Sequence, residues 1–99
     1  MAFETKPFDA ADYLETPEDI ALDLEEVFKD GDQQLIVEAI GDAARSRGMT
    51  EISKTTGLGR ESLYKALGPT GNPEFGTTLR VLKALGLRLA VEQQELEST

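Results

Sequence analysis

The sequence predicts a mainly α-helical protein with five helices, an N-terminal extension and a short C-terminal β-strand. Three observations predict this fold class: apolar residues recur at helical spacing, glycines or prolines separate the periodic segments, and the spacing changes to two after Gly86. With 99 residues, 39% of them apolar, the chain suits one small domain or a small domain with an appendage. A chain this short buries proportionately little surface, which favours a dimer.

The first helix is predicted to start at Thr16-Pro17 and to end near Lys29. Threonine caps helix N-termini, and proline suits the first helical position because its missing N–H has no partner there. The apolar residues that follow share one helical face: Ile20, Leu24, Val27 and Phe28.

Asp32 is the predicted N-cap of the second helix, which ends with Arg45 and Arg47 before Gly48. The two arginines meet the negative end of the helix dipole. The apolar face of this helix is predicted to contain Leu35, Ile36, Ala39, Ile40 and Ala43.

Three shorter helices are predicted in the second half of the chain. The third spans about 49–56 and stops at Gly57, and the fourth spans about 60–67 and stops at Gly68. Residues 68–73 contain two Gly and two Pro, so they form a loop. The fifth helix, from about 75 to 85, is predicted to bury Leu79, Leu82 and Leu85.

A short strand is predicted after the last helix, because Leu87, Leu89 and Val91 alternate with Arg88, Ala90 and Glu92. One strand alone leaves its backbone groups unpaired, so this strand needs a partner. That partner is either the same strand of a second protomer across a two-fold axis or the N-terminal arm. The predicted organisation is an acidic arm and helix (1–31), a helical core (32–86) and a strand with an acidic tail (87–99).

Charge is distributed unevenly along the chain, whose net charge is −9. Residues 1–44 contain 13 acids and two bases, residues 45–91 contain eight bases and three acids, and the last eight residues add three acids. Binding to phosphate needs clustered positive charge, which the whole chain lacks but residues 45–91 have. The asymmetry predicts two surfaces with different partners.

The chain contains no Cys and no His, which excludes thiolate and imidazole metal sites, disulfides, a Cys nucleophile and a His general base. We therefore expect binding rather than catalysis, with no cofactor, metal or catalytic residue. No apolar run approaches the ~20 residues that span a bilayer, and the N-terminus lacks the layout of a signal peptide. The protein is predicted to be cytoplasmic, with no membrane partner.

Residues 50–67 have the spacing of a helix-turn-helix. This motif needs a small residue where two helices cross, a glycine four positions later that can adopt a left-handed conformation, and apolar residues beside that glycine and inside the second helix. The residues at these positions are Ser53, Gly57, Leu58, Leu63 and Leu67. With the second helix before it and the fifth behind it, the motif predicts a five-helix DNA-binding domain of the Cro/repressor type.

The fourth helix is the predicted recognition helix. At ~100° per residue, placing Leu63 in the core turns Glu61 and Lys65 directly outward. Arg60 lies at the helix start, where base edges are usually reached. The residues predicted to read bases are Arg60, Glu61, Ser62, Tyr64 and Lys65. The residues predicted to contact phosphates are Arg45, Arg47, Thr50, Lys54 and Asn72.

Each of these features has a simpler alternative. Glu61 and Lys65 are i, i+4 neighbours, which also form common surface ion pairs worth ~0.3–0.5 kcal/mol. Tyr64 could cap the hydrophobic core, and the acidic first helix could be a solvated face. Helix–glycine–helix segments also arise by chance in small helical proteins.

Several stretches of sequence agree in spacing with one known family. They are Tyr13-Leu14-Glu15-Thr16-Pro17-Glu18-Asp19-Ile20, Gly48-Met49-Thr50, Thr56-Gly57-Leu58, Arg60-Glu61-Ser62-Leu63-Tyr64-Lys65-Ala66-Leu67, Gly71-Asn72-Pro73 and Leu82-Lys83-Ala84-Leu85-Gly86. Over nearly the whole chain, these stretches resemble the addiction-module antidote family, HigA-like antitoxins of bacteria and prophages in the Cro/repressor superfamily.

The resemblance implies a homodimeric antitoxin that binds operator DNA, represses its own operon and neutralises a small basic toxin of the RelE/ParE/HigB type. It assigns base reading to Arg60, Glu61, Tyr64 and Lys65, and backbone contact to Thr50, Lys54 and Asn72. The chain departs from the wider Cro/repressor pattern at two positions. Ser53 replaces the usual Ala, and Gly59 replaces a capping Ser or Thr. The first helix of the motif is also about two residues shorter.

Three other functions remain open. A stand-alone prophage transcriptional regulator would share the DNA-binding domain without a toxin partner. A protein-interaction module that has lost DNA binding would show no sequence preference. An enzyme would have to work with carboxylates, hydroxyls and Lys alone.

Overall fold

The computed structural model describes residues 16–95, and this part of the chain forms five α-helices. They are α1 (Pro17–Asp30), α2 (Gln33–Arg47), α3 (Met49–Thr56), α4 (Arg60–Ala66) and α5 (Phe75–Ala84). The mainly helical, five-helix fold is therefore confirmed. The predicted N-terminal extension lies outside the described residues. None of the helices within 16–95 combines the length and apolarity needed to cross a membrane.

The first two helices begin at the side-chain caps that the sequence predicts. The Thr16 hydroxyl accepts a hydrogen bond from the Asp19 backbone N–H at 3.1 Å. The Asp32 carboxylate accepts one from the Leu35 N–H, also at 3.1 Å. Each bond satisfies one of the N–H groups that the first turn of a helix leaves unpaired, which fixes where α1 and α2 start.

Replacing the cap of α2 should destabilise the protein. We expect Asp32→Ala to lower the free energy of unfolding by about 0.5–2 kcal/mol, because the Leu35 N–H loses its acceptor. Asp30→Ala is the matched control, since Asp30 is exposed at the C-terminal end of α1, where the helix dipole disfavours a carboxylate. Urea unfolding of both variants measures the difference, and equal losses would contradict a capping role for Asp32.

One hydrophobic core joins all five helices. Its largest fully buried side chains are Ile20, Ile40, Ile52, Leu63, Val81 and Leu85. α1 packs against α2, which also contacts α3 and α5, and α3 contacts both α4 and α5. α3 is therefore the central support on which α4 rests.

Two leucines predicted to be buried are instead well exposed: Leu35 on α2 and Leu79 on α5. Val37 on α2 and Val81 on α5 are buried instead. Leu35 lies in the first turn of α2, at the edge of the core. The other predicted positions Ala39, Ile40, Ala43, Leu82 and Leu85 are buried, so only the margins of the two apolar faces were misplaced.

The predicted strand at Leu87, Leu89 and Val91 is not confirmed, because residues 16–95 contain no strand. α5 ends in a Schellman motif: the Leu87 N–H donates to the Leu82 carbonyl and the Gly86 N–H to the Lys83 carbonyl, both at 2.9 Å. Leu87 then packs against the core. No backbone hydrogen bond joins residues 88–95 to another described segment, so the alternating pattern lacks the pairing that a strand requires.

Candidate nucleic-acid interface

A three-residue turn, Gly57-Leu58-Gly59, connects α3 to α4. Gly57 has φ 78° and ψ 10°, a left-handed conformation that glycine adopts without steric cost. The Ser53 hydroxyl donates to the Leu58 carbonyl at 2.5 Å, and the Thr56 hydroxyl accepts from the Leu58 N–H at 3.2 Å. Both polar backbone groups of Leu58 are thereby satisfied by α3, which fixes the direction in which α4 leaves the turn.

Removing the Ser53 hydroxyl should loosen this turn. We expect Ser53→Ala to lower the free energy of unfolding by about 1 kcal/mol, because the partly buried Leu58 carbonyl loses its donor. Thr55→Ala, an exposed change on the same helix, should stay within about 0.5 kcal/mol of the parent protein. Thermal unfolding compares the two variants. A free energy of unfolding that Ser53→Ala leaves unchanged would show that this hydrogen bond contributes no stability.

The outer face of α4 carries all five residues predicted to read bases. Their side chains are exposed: Arg60, Glu61, Ser62, Tyr64 and Lys65. Leu63 on the opposite face is completely buried, and Leu67, just after the helix, is 2% exposed. The core therefore fixes the rotation of α4 about its axis and leaves a continuous polar face in solvent.

Tyr64 lies on the surface with its ring beside Arg60. The tyrosine is 45% exposed, so it does not cap the core. The guanidinium carbon of Arg60 lies 5.9 Å from the ring centroid, within range of a cation–π contact worth ~0.5–1 kcal/mol at exposed sites. This contact restrains the Arg60 side chain across the outer face of α4.

Glu61 and Lys65 do not form the surface ion pair that their spacing allows. Within residues 16–95 the only ion pair joins Arg45 to Asp42. The carboxylate of Glu61 and the ammonium of Lys65 thus remain available to external hydrogen-bonding partners.

The loop after α4 folds back onto the end of that helix. A Cβ on Gly71 would lie 2.0 Å from the Ala66 carbonyl oxygen, so only glycine allows this approach. The loop is tied to α2 by two amide side chains: Gln34 Nε2 donates to the Pro69 carbonyl, and Gln33 Nε2 donates to Asn72 Oδ1 at 3.1 Å. An open cleft results between α4 and the loop, with Ser62, Lys65 and Asn72 among its lining residues.

The residues predicted to contact phosphates fall into two groups. Thr50 and Lys54 are exposed on α3. Arg45 pairs with Asp42, Arg47 Nη1 donates to the Ala84 carbonyl at 3.4 Å, and Asn72 accepts from Gln33. Arg47 therefore lies at the C-terminal end of α5, where a positive charge interacts favourably with the helix dipole.

Three residues that position this region were not identified from the sequence: Thr56, Gln33 and Gln34. Thr56 had a local signal, because a threonine in the last turn before a glycine can bond nearby backbone groups. The two glutamines had no local sequence signal, since their hydrogen-bond partners lie 35–39 residues further along the chain.

Over residues 16–95, five helices on one core, with the polar face of a short helix held outward, define a small helical domain. The chain belongs to the family of probable addiction module antidote proteins, whose family model matches residues 4–93. It is 45% identical to an uncharacterized protein of Haemophilus influenzae over 93 residues that cover 94% of this chain and 96% of the relative. No solved structure is significantly similar to the chain. An antidote implies a toxin as partner.

Proposed function

We propose that this protein is a HigA-like antitoxin that binds operator DNA as a homodimer, represses its own operon and neutralises a small basic toxin of the RelE/ParE/HigB type. The observation that carries the DNA half is the exposed face of α4, which holds Arg60, Glu61 and Lys65 outward around the buried Leu63. α3, the Gly57 turn and α4 then form a helix-turn-helix of the Cro/repressor type. The site of action is the cytoplasm.

In this proposal α4 enters the major groove and reads base edges. Arg60 and Lys65 donate to guanine O6 and N7, and Glu61 accepts from cytosine N4. Tyr64 contacts a thymine methyl or a phosphate, and Ser62, the fifth proposed base reader, lies on the wall of the cleft. The cation–π contact with Tyr64 orders Arg60 before DNA arrives, which lowers the conformational entropy lost on binding.

The phosphate contacts in this proposal come first from Thr50 and Lys54, which are exposed on α3. Arg45 uses Nη2 for its pair with Asp42, and Asn72 accepts from Gln33 through Oδ1, so the other guanidinium N–H groups of Arg45 and the Nδ2 amide of Asn72 are the donors proposed for phosphate. Arg47 donates to the Ala84 carbonyl through Nη1 and would use its other N–H groups. Backbone contacts of this kind fix the register of the protein on the duplex without reading sequence.

The toxin half of the proposal rests on family membership and on charge. α1 contains six carboxylates and one lysine, so it attracts a basic protein and repels DNA phosphate. Charge complementarity of this kind speeds encounter and favours the correct partner. A bound cationic toxin would also reduce the repulsion between the acidic half of the chain and DNA, so toxin would act as a corepressor.

The DNA half is tested by titrating the protein with the region upstream of its own gene and with random DNA at increasing salt. We expect the upstream region to bind at least ~10³-fold more tightly, the lower end of specific recognition. Affinity for both DNAs should fall as salt rises, because counterions are released from the phosphates. Equal affinity for the two DNAs would contradict the proposed operator binding.

The toxin half is tested by co-expressing the 99-residue chain with the Lys- and Arg-rich protein of about a hundred residues that we expect to be encoded beside it. We expect the two proteins to co-purify and the chain to restore growth of cells that express the basic protein alone. With operator binding intact but no complex and no rescue, the chain would instead be a stand-alone prophage regulator.

A further inference from the structure

An open groove runs between α1 and the segment of residues 87–94 that follows α5. Its apolar lining comes from both walls and from Leu82 of α5, and the wall residues are Ala21, Leu24, Phe28, Leu87, Leu89 and Ala90. Leu24 and Leu82 belong to the core, whereas Phe28 and Leu89 are 37% and 38% exposed. The groove therefore offers two half-exposed hydrophobic side chains above a buried apolar floor.

The helix that forms one wall of this groove carries an excess of negative charge. The charged residues that line the groove are two bases, Lys29 and Arg88, and two acids, Glu25 and Glu92, so the excess comes from the rest of α1. α1 as a whole carries six carboxylates against Lys29 alone, and Glu95 adds another acid beyond the groove. None of the α1 carboxylates forms an ion pair within residues 16–95. An occupant with Lys or Arg side chains would supply the missing counter-charges.

Charge also argues against the two other occupants that this chain could provide. Residues 1–15 precede Pro17, which lies beside Gly86, the neighbour of the groove residue Leu87; the Pro17 Cγ is 3.4 Å from where a Gly86 Cβ would be. Those residues contain four acids and one lysine, so they would bring further negative charge beside the acidic α1. A second copy meeting this groove across a two-fold axis would place one acidic α1 against another.

We propose that this groove is where the basic toxin binds, through a segment whose apolar side chains contact Phe28 and Leu89 and whose Lys or Arg side chains pair with the α1 carboxylates. This inference rests on the proposed antitoxin function and adds the place of contact. Both walls are needed, because Phe28 comes from α1 and Leu89 from the segment after α5. The groove includes none of the residues assigned to DNA, so toxin and operator bind the same chain together.

The test uses the full-length chain and the basic protein encoded beside it, with affinity measured by calorimetry. Phe28→Ser and Leu89→Ser should each weaken the complex by about tenfold or more, the loss typical of a contact at the centre of an interface. Leu79→Ser is the matched control, since Leu79 on α5 is 39% exposed and lies outside the groove. It should change the affinity less than about twofold. Operator binding should be the same for all three variants.

Each other outcome has a defined meaning. Groove variants that bind the basic protein as tightly as the parent chain would overturn the groove proposal and leave the antitoxin function standing. Equal weakening by Leu79→Ser would overturn it as well, because the loss would not be specific to the groove. A parent chain that does not bind the basic protein would remove the antitoxin proposal and the groove with it.

Two further measurements test the other possible occupants, a second copy of the chain and residues 1–15. If Phe28→Ser lowers the mass of the free protein in sedimentation without changing its affinity for the basic protein, the groove joins two copies. If a chain lacking residues 1–15 binds the basic protein more tightly, those residues occupy the groove in the free protein. The first result would overturn the proposal, and so would the second if Phe28→Ser then had no effect on the complex.

Discussion

Gly71→Ala should destabilise the protein by about 1–3 kcal/mol, the usual cost of forcing extra atoms into a filled space. The added Cβ would lie 2.0 Å from the Ala66 carbonyl oxygen and 2.6 Å from that of Lys65. Both oxygens belong to the backbone of α4, so no side-chain rotation relieves the clash. The loop would have to move away from α4 and would strain the hydrogen bond between Gln33 and Asn72. For a domain of this size, each kcal/mol lowers Tm by roughly 4–8 °C.

Gly76→Ala provides the control for this prediction. A Cβ at Gly76 meets nothing within 4 Å, and the residue lies in α5. Alanine there should stabilise the protein by up to about 1 kcal/mol, because glycine loses more backbone entropy on entering a helix. The Tm measured by thermal unfolding should therefore fall for Gly71→Ala and rise for Gly76→Ala. Equal Tm values would show that the loop does not approach α4 as closely as the structure describes.

Arg60→Ala should weaken binding to the operator by about 1–3 kcal/mol, or roughly 5- to 150-fold, and relax the preference at one base pair. Binding to random DNA should change little, because the proposed contact of Arg60 is to a base edge. The fold should persist, since Arg60 is exposed and its contact with the Tyr64 ring contributes at most about 1 kcal/mol. Fluorescence anisotropy with single-base operator variants locates the position that loses discrimination.

Lys54→Ala separates backbone contact from base reading. Lys54 is exposed on α3, so its loss should weaken binding to every DNA sequence alike. The slope of log affinity against log salt should fall by about 1, the contribution of one phosphate contact. If Arg60→Ala lowered the affinity for operator and random DNA equally, Arg60 would be a phosphate contact and the assignment to a base would be wrong.

Helix positions were predictable because their ends depend on nearby residues. The caps at Thr16 and Asp32 and the left-handed turn at Gly57 each involve partners within a few positions, and all occur where the sequence placed them. The burial of Leu63 and the exposure of the predicted base readers followed from helical geometry once α4 was placed.

The features that the sequence did not predict share a different physical origin, since each depends on contacts between residues distant in sequence. Whether Leu35 or Val37 is buried depends on where the neighbouring helices lie, which the period of one helix does not reveal. The alternation after Gly86 resembles a strand, but pairing requires a second strand, and here Leu87 joins the core instead. The glutamines that tie the loop to α2 bond residues 35–39 positions away.

If the chain binds operator DNA as proposed, the shortness of α4 makes that binding depend on temperature. With seven residues and no side-chain hydrogen bond at its N-cap, α4 is far below the ~12–15 residues at which isolated helices become even marginally stable in water. Its helical state is therefore supported by the burial of Leu63 and Leu67 and is lost when the core unfolds. The apparent affinity for an operator is then the intrinsic affinity scaled by the folded fraction of the protein. Repression should weaken as cells approach the melting temperature of this domain, with no change in any residue that touches DNA.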